Sequence, residues 1–481
     1  MADMDNDNTL QAQDIALRFE TQHRASRADQ HVAHAVRLDR IERAIAMMAA
    51  HCDRLCAAMS ADFGSRPLAQ NLAIDIAGTI DSLKAARRQL RRWMRPQRRR
   101  ANFPMGWLGV RAEVRRRPLG VICIIGAWNF PVATVTVPMA GALAAGNRLV
   151  LKPSEMTPRT AAALARAVAE FFAPDEMTVV TGDATAGRQL TALPFDRIVF
   201  TGGAATARHI MRAAADHLVP LTLELGGKSP VIIGRGADLA LAARQIMFGK
   251  LFNAGQVCVG PDYVLVQEEQ RAALSAALVT ATARLFPRLR DNPDYGAIAT
   301  EPHRRHLQAL LADARDKGAR EMTLDPAGEA AAGMGGKMLP RLLFEVHDGM
   351  DVMREEIFGP ILPVLTYGDI EQAIAYVNAR PRPLALYYFG HDQRETERVL
   401  QATVSGGVTI NDVLLHAAQE DVPFGGVGAS GFGKYRGYDG YCEFSTPQPV
   451  LRQSRFNVVW ALLRPPYTAL ALRLLRATVR R

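Results

Sequence analysis

Between residues 119 and 218, short apolar runs alternate with segments whose apolar residues recur at helical spacing. Continuous apolar runs of this length are typical of strands buried on both faces of a parallel sheet. The pattern predicts strands at 119–125, 148–151, 177–180 and 197–200, with helices at 137–145, 157–172, 184–193 and 204–218. This alternation predicts βαβ units in a right-handed, doubly wound parallel sheet. Such sheets bind ligands beyond the carboxyl ends of their strands.

A second α/β block runs from about residue 225 to residue 410. Its strands are predicted at 231–233, 263–266, 361–366, 385–389 and 407–410, with helices between them. Upstream, helical periodicity indicates amphipathic helices over 9–57 and 68–94. Residues 98–118 are rich in arginine and contain several glycines and prolines, so they predict an extended excursion from the domain.

The composition is that of a globular protein with room for two or three domains, because 48% of the 481 residues are hydrophobic and 22% are charged. No apolar run reaches the roughly 18 residues of a membrane-spanning helix, and the first residues are acidic, unlike a secretory leader. The five cysteines form neither a paired framework nor a set of metal ligands. We therefore expect a cytoplasmic protein without disulfides or a metal site.

The formal charge of +10 is concentrated in arginine clusters at 87–100, at 115–117 and at the C-terminus. A basic face of this kind could attract acidic lipid or nucleic acid. A solvated helix face is the simpler explanation, because no nucleic-acid-binding motif accompanies the arginines. No nucleic acid partner is expected.

Three of the predicted strands in the first block end in turns that should line one crevice. Lys152 and Glu155 follow the second strand, and both can hydrogen-bond the vicinal hydroxyls of a ribose. Gly202 and Gly203 follow the fourth strand and open a helix, where a pyrophosphate could approach the helix N-terminus. Two glycines before a helix fit a plain turn equally well.

The stretch 253–260 joins a helical run to the predicted strand at 263–266, and it carries Cys258 near two glycines. Glycines at such a place allow the backbone to come close to a ligand, which suits a nucleophile. For any single cysteine, a small buried thiol is the alternative. Cys258 as a nucleophile therefore needs support from elsewhere in the chain.

Seven motifs spread over residues 120–431 supply that support. They are GAWNFP at 126–131, KPSE at 152–155, FTG at 200–202, ELGGKSP at 224–230, GQVC at 255–258, EEIFGP at 355–360 and PFGG at 423–426. In this order they resemble the motifs of the aldehyde dehydrogenase superfamily. The segments DFGSR at 62–66, WM at 93–94 and LHAAQ at 415–419 further resemble the class 3-like branch and, within it, the coniferyl aldehyde dehydrogenases.

The resemblance implies a dinucleotide-binding domain, an α/β catalytic domain and a small β element for oligomerisation. The implied division is 1–97 and 119–224 for the cofactor-binding domain, 225–411 for the catalytic domain, and 98–118 with 440–455 for strands that pair between the subunits of a homodimer. The tail at 456–481 is apolar with terminal arginines. It is expected to pack over its own subunit or the partner, and peripheral contact with a membrane surface is the alternative.

In a protein of this family, Cys258 would attack the aldehyde carbon as a thiolate and form a thiohemiacetal. Asn129 would donate its side-chain amide to the developing oxyanion, a contact worth on the order of 3 kcal/mol. After hydride transfer, Glu224 would activate the water that hydrolyses the thioester. Judged by the residues alone, Glu224 could instead be a buried structural carboxylate, and Asn129 could cap the following helix.

The same resemblance implies a nicotinamide coenzyme. Glu356 would bind the ribose on the nicotinamide side, with Phe358 near the ring, and Lys152 and Glu155 would bind the adenosine ribose. Glu356 as a surface acid is the alternative. Glu155 would repel a 2′-phosphate and so favours NAD, although the class 3-like branch often accepts NADP as well. The second glycine of the family's phosphate-binding turn is replaced here by Ala207.

We therefore predict NAD(P)-dependent oxidation of a hydrophobic, aromatic aldehyde of the coniferyl type to its carboxylic acid. A medium- or long-chain aliphatic aldehyde is the alternative substrate. A thioester or ester hydrolase that uses Cys258 and Glu224, and a non-catalytic membrane-associated scaffold, are the alternatives from other functional classes. The role of His416 stays open among a pocket wall, a hydrogen-bonding group and an ordinary loop histidine.

Overall fold

The computed structural model describes residues 2–103, 105–329, 333–455 and 464–479, with side chains from residue 9 onward. The described strands form three sheets. The strands are β1 (Gln97–Arg99), β2 (Arg111–Pro118), β3 (Val121–Ile125), β4 (Arg148–Lys152), β5 (Met177–Val179), β6 (Arg197–Gly202), β7 (Leu221–Leu225), β8 (Pro230–Ile233), β9 (Tyr263–Gln267), β10 (Arg320–Thr323), β11 (Arg341–Phe344), β12 (Ile361–Tyr367), β13 (Ala385–Phe389), β14 (Gly407–Ile410), β15 (Gly431–Phe432) and β16 (Ser445–Arg452).

The helices connect and cover these strands. They are α1 (Ala2–Ala28), α2 (His34–Ala50), α3 (Cys52–Phe63), α4 (Leu68–Gln70), α5 (Gly78–Trp93), α6 (Ala133–Ala145), α7 (Pro158–Phe171), α8 (Ala184–Thr191), α9 (Ala204–Ala215), α10 (Leu239–Leu251), α11 (Arg271–Leu285), α12 (Glu301–Asp316), α13 (Asp351–Arg354), α14 (Ile370–Asn378), α15 (Gln393–Ala402), α16 (Gly437–Glu443) and α17 (Ala469–Val479). A π-helical segment, Asn71–Ala77, precedes α5.

The first α/β block is built on a six-stranded sheet with the order β15-β7-β6-β3-β4-β5. Its strands are parallel except β15, which runs antiparallel to β7. The strands predicted in this block are observed as β3, β4, β5 and β6, so the predicted α/β fold is confirmed. The sequence pattern does not predict β7, because Thr222 and Glu224 interrupt its apolar run.

Helices cover both faces of this sheet, as its unbroken apolar strands require. Successive residues of β3 point to opposite faces. Ile122 and Ile124 join the core cluster that contains α6 and α7, whereas Val121 and Cys123 join the cluster that contains α1, α8 and α9. The sheet is therefore buried from both sides, and its free carboxyl edge is left for a ligand.

The second block is built on a seven-stranded sheet with the order β10-β11-β12-β9-β8-β13-β14. Neighbouring strands are parallel except for the antiparallel pair of β10 and β11. The five predicted strands are observed as β8, β9, β12, β13 and β14. The boundary expected between residues 224 and 225 falls within β7, and the division of the chain into domains stays a prediction.

The third sheet is antiparallel, with the order β1-β2-β16. Strand β2 pairs with β16 along its whole length, from Arg111 opposite Arg452 to Pro118 opposite Ser445. The two segments expected to serve in oligomerisation therefore pair with each other within one subunit. Their contact with a second subunit stays a prediction.

Helix α5 shows how the arginine cluster fits a folded domain. Leu83, Leu90 and Trp93 are buried on one face of the helix, whereas Arg87 and Arg91 are exposed on the other. This arrangement is an amphipathic helix with a solvated basic face.

The C-terminal tail lies partly outside the described residues, which resume at residue 464 after a gap at 456–463. Its helix α17 exposes Leu470, Leu474 and Val479 to solvent. None of the helices in the described ranges has both the length and the apolar character that crossing a bilayer requires.

Candidate active site

A cavity of about 910 Å³ lies at the carboxyl ends of β3, β4 and β6 and is bounded by residues of both α/β blocks. This is the edge at which a doubly wound sheet binds ligands. All of the site residues expected from the sequence line the cavity: Asn129, Lys152, Glu155, Gly202, Gly203, Glu224, Cys258, Glu356 and Phe358. The tertiary structure thus brings together residues that are up to 229 positions apart in the chain.

Cys258 lies on a turn that follows the end of α10 and has an unusual backbone conformation. Asn253, Ala254 and Gly255 all have positive φ angles, of +48°, +53° and +80°. A Cβ atom on Gly255 would overlap the carbonyl of Gly359, so this position requires glycine. Residues other than glycine keep a positive φ angle only where the surrounding structure holds them in it, and such residues cluster at functional sites.

Buried amide side chains hold this turn in place. Asn253 donates from Nδ2 to the carbonyl oxygens of Asn129 (3.0 Å) and Gln256 (3.2 Å). The Gln256 side chain donates to the carbonyl of Ala297 (3.1 Å) and accepts from the Ala299 N–H (2.8 Å). Each of these contacts satisfies a buried polar group, and together they fix the backbone just before Cys258.

Asn129 belongs to the same network and is not a helix cap. Its Nδ2 donates to the carbonyl of Gln256 at 3.1 Å, which uses one of the two amide hydrogens and orients the group. Helix α6, which follows Asn129, is capped instead by Asp75, whose Oδ1 accepts from the N–H groups of Val132 (3.1 Å) and Ala133 (2.9 Å). The structure therefore removes the capping alternative and leaves the amide available to a ligand in the cavity.

Glu224 and Cys258 face the same cavity and affect each other's ionisation. Burial raises the pKa of the Glu224 carboxyl, and the side chains of Cys258, Thr201 and Tyr435 oppose that rise. The Tyr435 hydroxyl donates to Glu224 Oε2 at 3.4 Å, whereas Oε1 is buried without a hydrogen-bond partner among the described residues. Burial and, next, the charge of Glu224 raise the pKa of the Cys258 thiol well above its usual range. The thiol is thus protonated at rest and needs a base.

Glu356 is the third carboxyl of the cavity, and the absence of a side chain at Gly226 makes room for it. A Cβ atom on Gly226 would overlap both carboxylate oxygens of Glu356. Burial and the nearby charge of Asp262 raise the pKa of Glu356 well above its usual range, while the N–H of Gly227 opposes the rise. Glu356 is therefore not the ordinary surface acid of the alternative interpretation.

The segment around Glu356 and Phe358 is held by residues to which the sequence pattern assigned no role. Lys228 forms an ion pair with Asp262 and donates to the carbonyls of Val352 (2.7 Å) and Glu355 (3.0 Å). Asp262 Oδ1 in turn accepts from the Ile357 N–H at 3.1 Å. Lys228 lies within the ELGGKSP motif, and that motif is the signal by which it could have been found.

Phe358 has a positive φ of +54°, and its carbonyl accepts a hydrogen bond from His303 Nε2 at 2.8 Å. The Phe358 and Trp128 rings form a T-shaped pair, with ring centroids 5.4 Å apart. Both His303 and Trp128 line the cavity. His303 is a further residue that the sequence pattern did not single out, because a helical histidine far along the chain carries no local signal.

The opposite end of the cavity suits the adenosine half of a dinucleotide. Lys152 is buried, and its Nζ donates to Glu155 Oε2 at 3.1 Å and to the Gly182 carbonyl at 3.3 Å. The Glu155 side chain is 45% exposed and can turn toward a ligand. A carboxylate and an ammonium group at a strand end are suited to the hydroxyls of a ribose.

Gly202, the last residue of β6, and Gly203, which follows it, differ in their surroundings. A Cβ atom on Gly202 would press on the ring of Phe200, at 2.5 Å from Cζ. A Cβ atom on Gly203 would meet no described protein atom within 4 Å, so it would occupy the open cavity at the N-terminus of α9. That opening suits a pyrophosphate, which binds well at helix N-termini. Ala207 is a buried residue of α9 and does not line the cavity.

His416 lies outside the lining of this cavity. Its Nδ1 is 2.8 Å from the Thr409 hydroxyl, and its ring packs between Tyr387 and Phe424. Burial, with a smaller effect of Lys434, lowers the pKa of His416 to about 4. The described geometry is that of a neutral histidine with a hydrogen-bonding partner. Among the described residues, no group of three or more His, Cys, Asp or Glu side chains is placed to hold a metal ion.

Comparison with known proteins gives consistent results. The family model "Aldehyde dehydrogenase family" matches residues 7–450. A coniferyl aldehyde dehydrogenase of Pseudomonas sp. (strain HR199 / DSM 7063) is 48% identical over 433 residues, which cover 90% of this chain and 89% of the relative. Aldehyde dehydrogenase family 3 member H1 of Arabidopsis thaliana is 36% identical over 437 residues, covering 89% and 87%. The solved structure of Staphylococcus aureus AldH in a substrate-bound state has a TM-score of 0.90 and 32% identity, covering 97% of this chain and 99% of that one.

Proposed function

Because this chain belongs to the aldehyde dehydrogenase family, we propose that the enzyme oxidises a hydrophobic, aromatic aldehyde of the coniferyl type through a covalent intermediate on Cys258. The observation that carries the proposal is the convergence of a thiol, a buried carboxyl and an oriented amide on one cavity. The substrate class is supported by the relative that is 48% identical and is named a coniferyl aldehyde dehydrogenase.

The first step needs a base, since the thiol of Cys258 is protonated at rest. Glu224 takes the thiol proton, and the sulfur then attacks the carbonyl carbon to form a thiohemiacetal. Asn129 donates the remaining N–H of its amide to the carbonyl oxygen as that oxygen becomes negative. A preorganised donor of this kind contributes about 3 kcal/mol to stabilising the transition state. Its hydrogen bond to Gln256 is what provides the preorganisation.

A nicotinamide coenzyme would be held along the same cavity. Glu356 and Phe358 would hold the nicotinamide half, Gly203 and the α9 N-terminus the pyrophosphate, and Lys152 with Glu155 the adenosine ribose. When bound, this coenzyme supplies the acceptor for the hydride that leaves the thiohemiacetal carbon. The protein's own part is to orient the reacting carbon and to exclude water during that transfer.

The second step is hydrolysis of the thioester on Cys258. Glu224 first releases the thiol proton to solvent and then takes a proton from a water molecule, which attacks the thioester carbon. The raised pKa of Glu224 suits a group that must both accept and release protons near neutral pH. The carboxylic acid leaves, and the thiol is restored.

The test is an aldehyde panel of benzaldehyde, coniferaldehyde, hexanal and decanal, each assayed with NAD and with NADP. Coniferaldehyde is expected to give the highest kcat/KM. A clear preference for hexanal or decanal would replace the aromatic substrate with an aliphatic one. Turnover of esters without a nucleotide, together with no oxidation of any aldehyde, would indicate a hydrolase and overturn the proposal.

Variants test the mechanism directly. Cys258→Ala should lose coenzyme reduction, whereas the matched control Cys52→Ala, which alters a half-buried thiol outside the cavity, should retain it. Glu224→Gln should give a single stoichiometric burst of reduced coenzyme and then stop, because the thioester accumulates. The burst should form more slowly than in the wild type, because the Cys258 thiol must then lose its proton to solvent. Steady-state turnover by Cys258→Ala would refute the covalent mechanism.

We further propose that the enzyme is a homodimer that uses the third sheet at the subunit contact. The support is the family membership and the exposed pairing of β2 with β16. Light scattering after size exclusion should give twice the 52.5 kDa of one chain. A monomer at micromolar concentration would exclude this assembly.

A further inference from the structure

We infer that Arg436 is a positioning residue for Glu224, the proposed base of the reaction. Its ion pair with Glu420 holds the neighbouring Tyr435 in place, and Tyr435 in turn holds the Glu224 carboxylate. The inference rests on the proposed function and deepens it, because Arg436 is not among the residues that line the cavity.

The backbone of Arg436 has a conformation that residues with a side chain rarely adopt. Its φ is +102° and its ψ is 147°, close to a region that glycine almost alone occupies. Gly437 follows with a φ of +51°, and a Cβ atom there would stand 2.4 Å from the carbonyl oxygen of Glu420. A strained residue of this kind persists only where the surrounding structure holds it, and such residues cluster at functional sites.

An ion pair with Glu420 supplies this constraint. Arg436 Nη1 donates to Glu420 Oε1 at 2.7 Å, and both side chains are mostly buried. The same oxygen accepts from the Ser82 hydroxyl at 2.8 Å, which connects the ion pair to α5. Burial raises the pKa of the Glu420 carboxyl, and the charge of Arg436 opposes this rise. The strained backbone is therefore anchored to a helix of the first α/β block.

Tyr435 is held between this anchor and a second one. On its other side, Lys434 Nζ donates to the carbonyl oxygens of Gly406 (3.2 Å) and Gly425. The backbone N–H of Tyr435 donates to the Phe424 carbonyl at 2.8 Å, and its carbonyl accepts from the Phe424 N–H at 2.9 Å. These contacts fix the backbone from which the buried Tyr435 ring reaches the base.

The Tyr435 hydroxyl determines which oxygen of Glu224 is free to take a proton. It donates to Oε2 at 3.4 Å, whereas Oε1 has no hydrogen-bond partner among the described residues. The contact is long for a hydrogen bond between two oxygens, so a small movement of Tyr435 would break it. Donation to a carboxylate favours its ionised form, so loss of this contact would raise the pKa of Glu224.

The charges around Glu224 separate this positioning effect from a direct effect of charge. The other ionisable groups near it are Cys258, Glu356 and Arg436 itself. Removal of the Glu420 carboxylate would leave the Arg436 charge uncompensated, and by charge alone this would lower the pKa of Glu224. Loss of the anchor would instead raise that pKa. The variant Glu420→Leu therefore distinguishes the two effects by the sign of the change.

The test measures how the rate of thioester hydrolysis on Cys258 depends on pH in the full-length enzyme. Without a nucleotide, 4-nitrophenyl acetate acylates the thiol: the sulfur–acyl bond forms, the ester bond breaks, and 4-nitrophenol leaves with the thiol proton. Water then releases acetate, and quenched-flow mass spectrometry follows the decay of the acetyl-enzyme. This rate should rise with pH as Glu224 ionises.

Arg436→Gly relieves the strained backbone and removes the anchor. It should move the rise in rate to higher pH by about one unit, as expected for loss of a hydrogen bond to a charged group. Glu420→Leu and Tyr435→Phe should move it in the same direction. The matched control is Leu218→Gly, which relieves a positive φ of +56° at an exposed residue outside the cavity lining and should leave the profile unchanged.

Combining Glu420→Leu with Tyr435→Phe should give no further shift to higher pH, because both changes remove the same hydrogen bond. A further upward shift in this double variant, a shift to lower pH in Glu420→Leu, or an unmoved profile in Arg436→Gly would each overturn the inference. Its failure is distinguishable from failure of the proposed function. The former is measured on the acetyl-enzyme without coenzyme, whereas the latter would show as no oxidation of any aldehyde by wild-type enzyme with either coenzyme.

Discussion

The buried ion pair between Arg66 and Asp75 gives a sharp prediction about what stabilises the active-site wall. Asp75 lies in the π-helical segment, and neither charged side chain has any solvent exposure. Asp75 Oδ2 accepts from Arg66 Nη2 at 2.8 Å, while Oδ1 caps α6 just after the motif that contains Asn129. The Arg66 guanidinium lies over the ring of Phe63, with its Cζ 4.7 Å from the ring centroid.

Asp75→Asn keeps the size of the side chain and an oxygen that can cap α6, but it removes the negative charge. The guanidinium of Arg66 is then buried without a counter-ion, a situation that costs about 3–5 kcal/mol in free energy of unfolding. The cap itself should survive, because asparagine caps as well as aspartate. The loss in free energy of unfolding therefore measures the cost of leaving the Arg66 charge unpaired.

Urea unfolding followed by tryptophan fluorescence measures this free energy. The matched control is Asp183→Asn, which changes the same group at the cap of α8, where it is exposed and also accepts two backbone N–H bonds. This control should leave the unfolding midpoint essentially unchanged. The double variant Arg66→Met with Asp75→Asn should recover most of the lost stability, because no buried charge remains. A loss below about 1 kcal/mol in Asp75→Asn would refute the reasoning.

Three further predictions concern the nucleophile, a glycine contact and the tail. The rate at which iodoacetamide alkylates Cys258 should rise as the pH rises through the raised pKa of the thiol. Glu224→Gln should shift this pH profile to lower pH, because it removes a negative charge beside the thiol. An unshifted profile would show that Glu224 does not affect the ionisation of Cys258. Gly431→Ala should destabilise the enzyme by about 2 kcal/mol or more, measured as a lower thermal midpoint, because φ is +121° and a Cβ atom would overlap the Leu223 carbonyl. Full-length protein and a 1–455 truncation should both stay in the supernatant with anionic vesicles if α17 packs on the subunits, whereas pelleting of the full-length chain alone would favour membrane contact.

Most of the strands that the sequence pattern predicts are fully buried, although the half-buried edge strand β14 is also predicted and the mostly buried β11 is not. β3 and β4 read as unbroken apolar runs because a central parallel strand meets helices on each side. The pattern does not predict β7, because the polar residues Thr222 and Glu224 interrupt its apolar run. The pattern also does not predict the edge strands β10 and β15. Strand β10 is largely exposed and β15 has two residues, so neither contains a continuous apolar run.

The site follows a similar division. The candidate site residues could be named from the seven ordered motifs, since each lies within a motif or, like Gly203, directly after one. The residues that hold these side chains in place could not be named from the motifs. Asp75 caps a helix that begins 58 residues later, and His303 supports a carbonyl 55 residues away. Such contacts leave no trace in local spacing, because they depend on how separate elements pack.

By itself, the sequence determined the α/β class and the family, and it named the candidate site residues, because these depend on local periodicity and on short motifs. The tertiary structure decided which of those side chains meet. It brought Glu224 to the same cavity as Cys258 and assigned the cap of α6 to Asp75. The physical reason is that proximity between distant residues and the burial of charge are set by packing and desolvation of the whole chain.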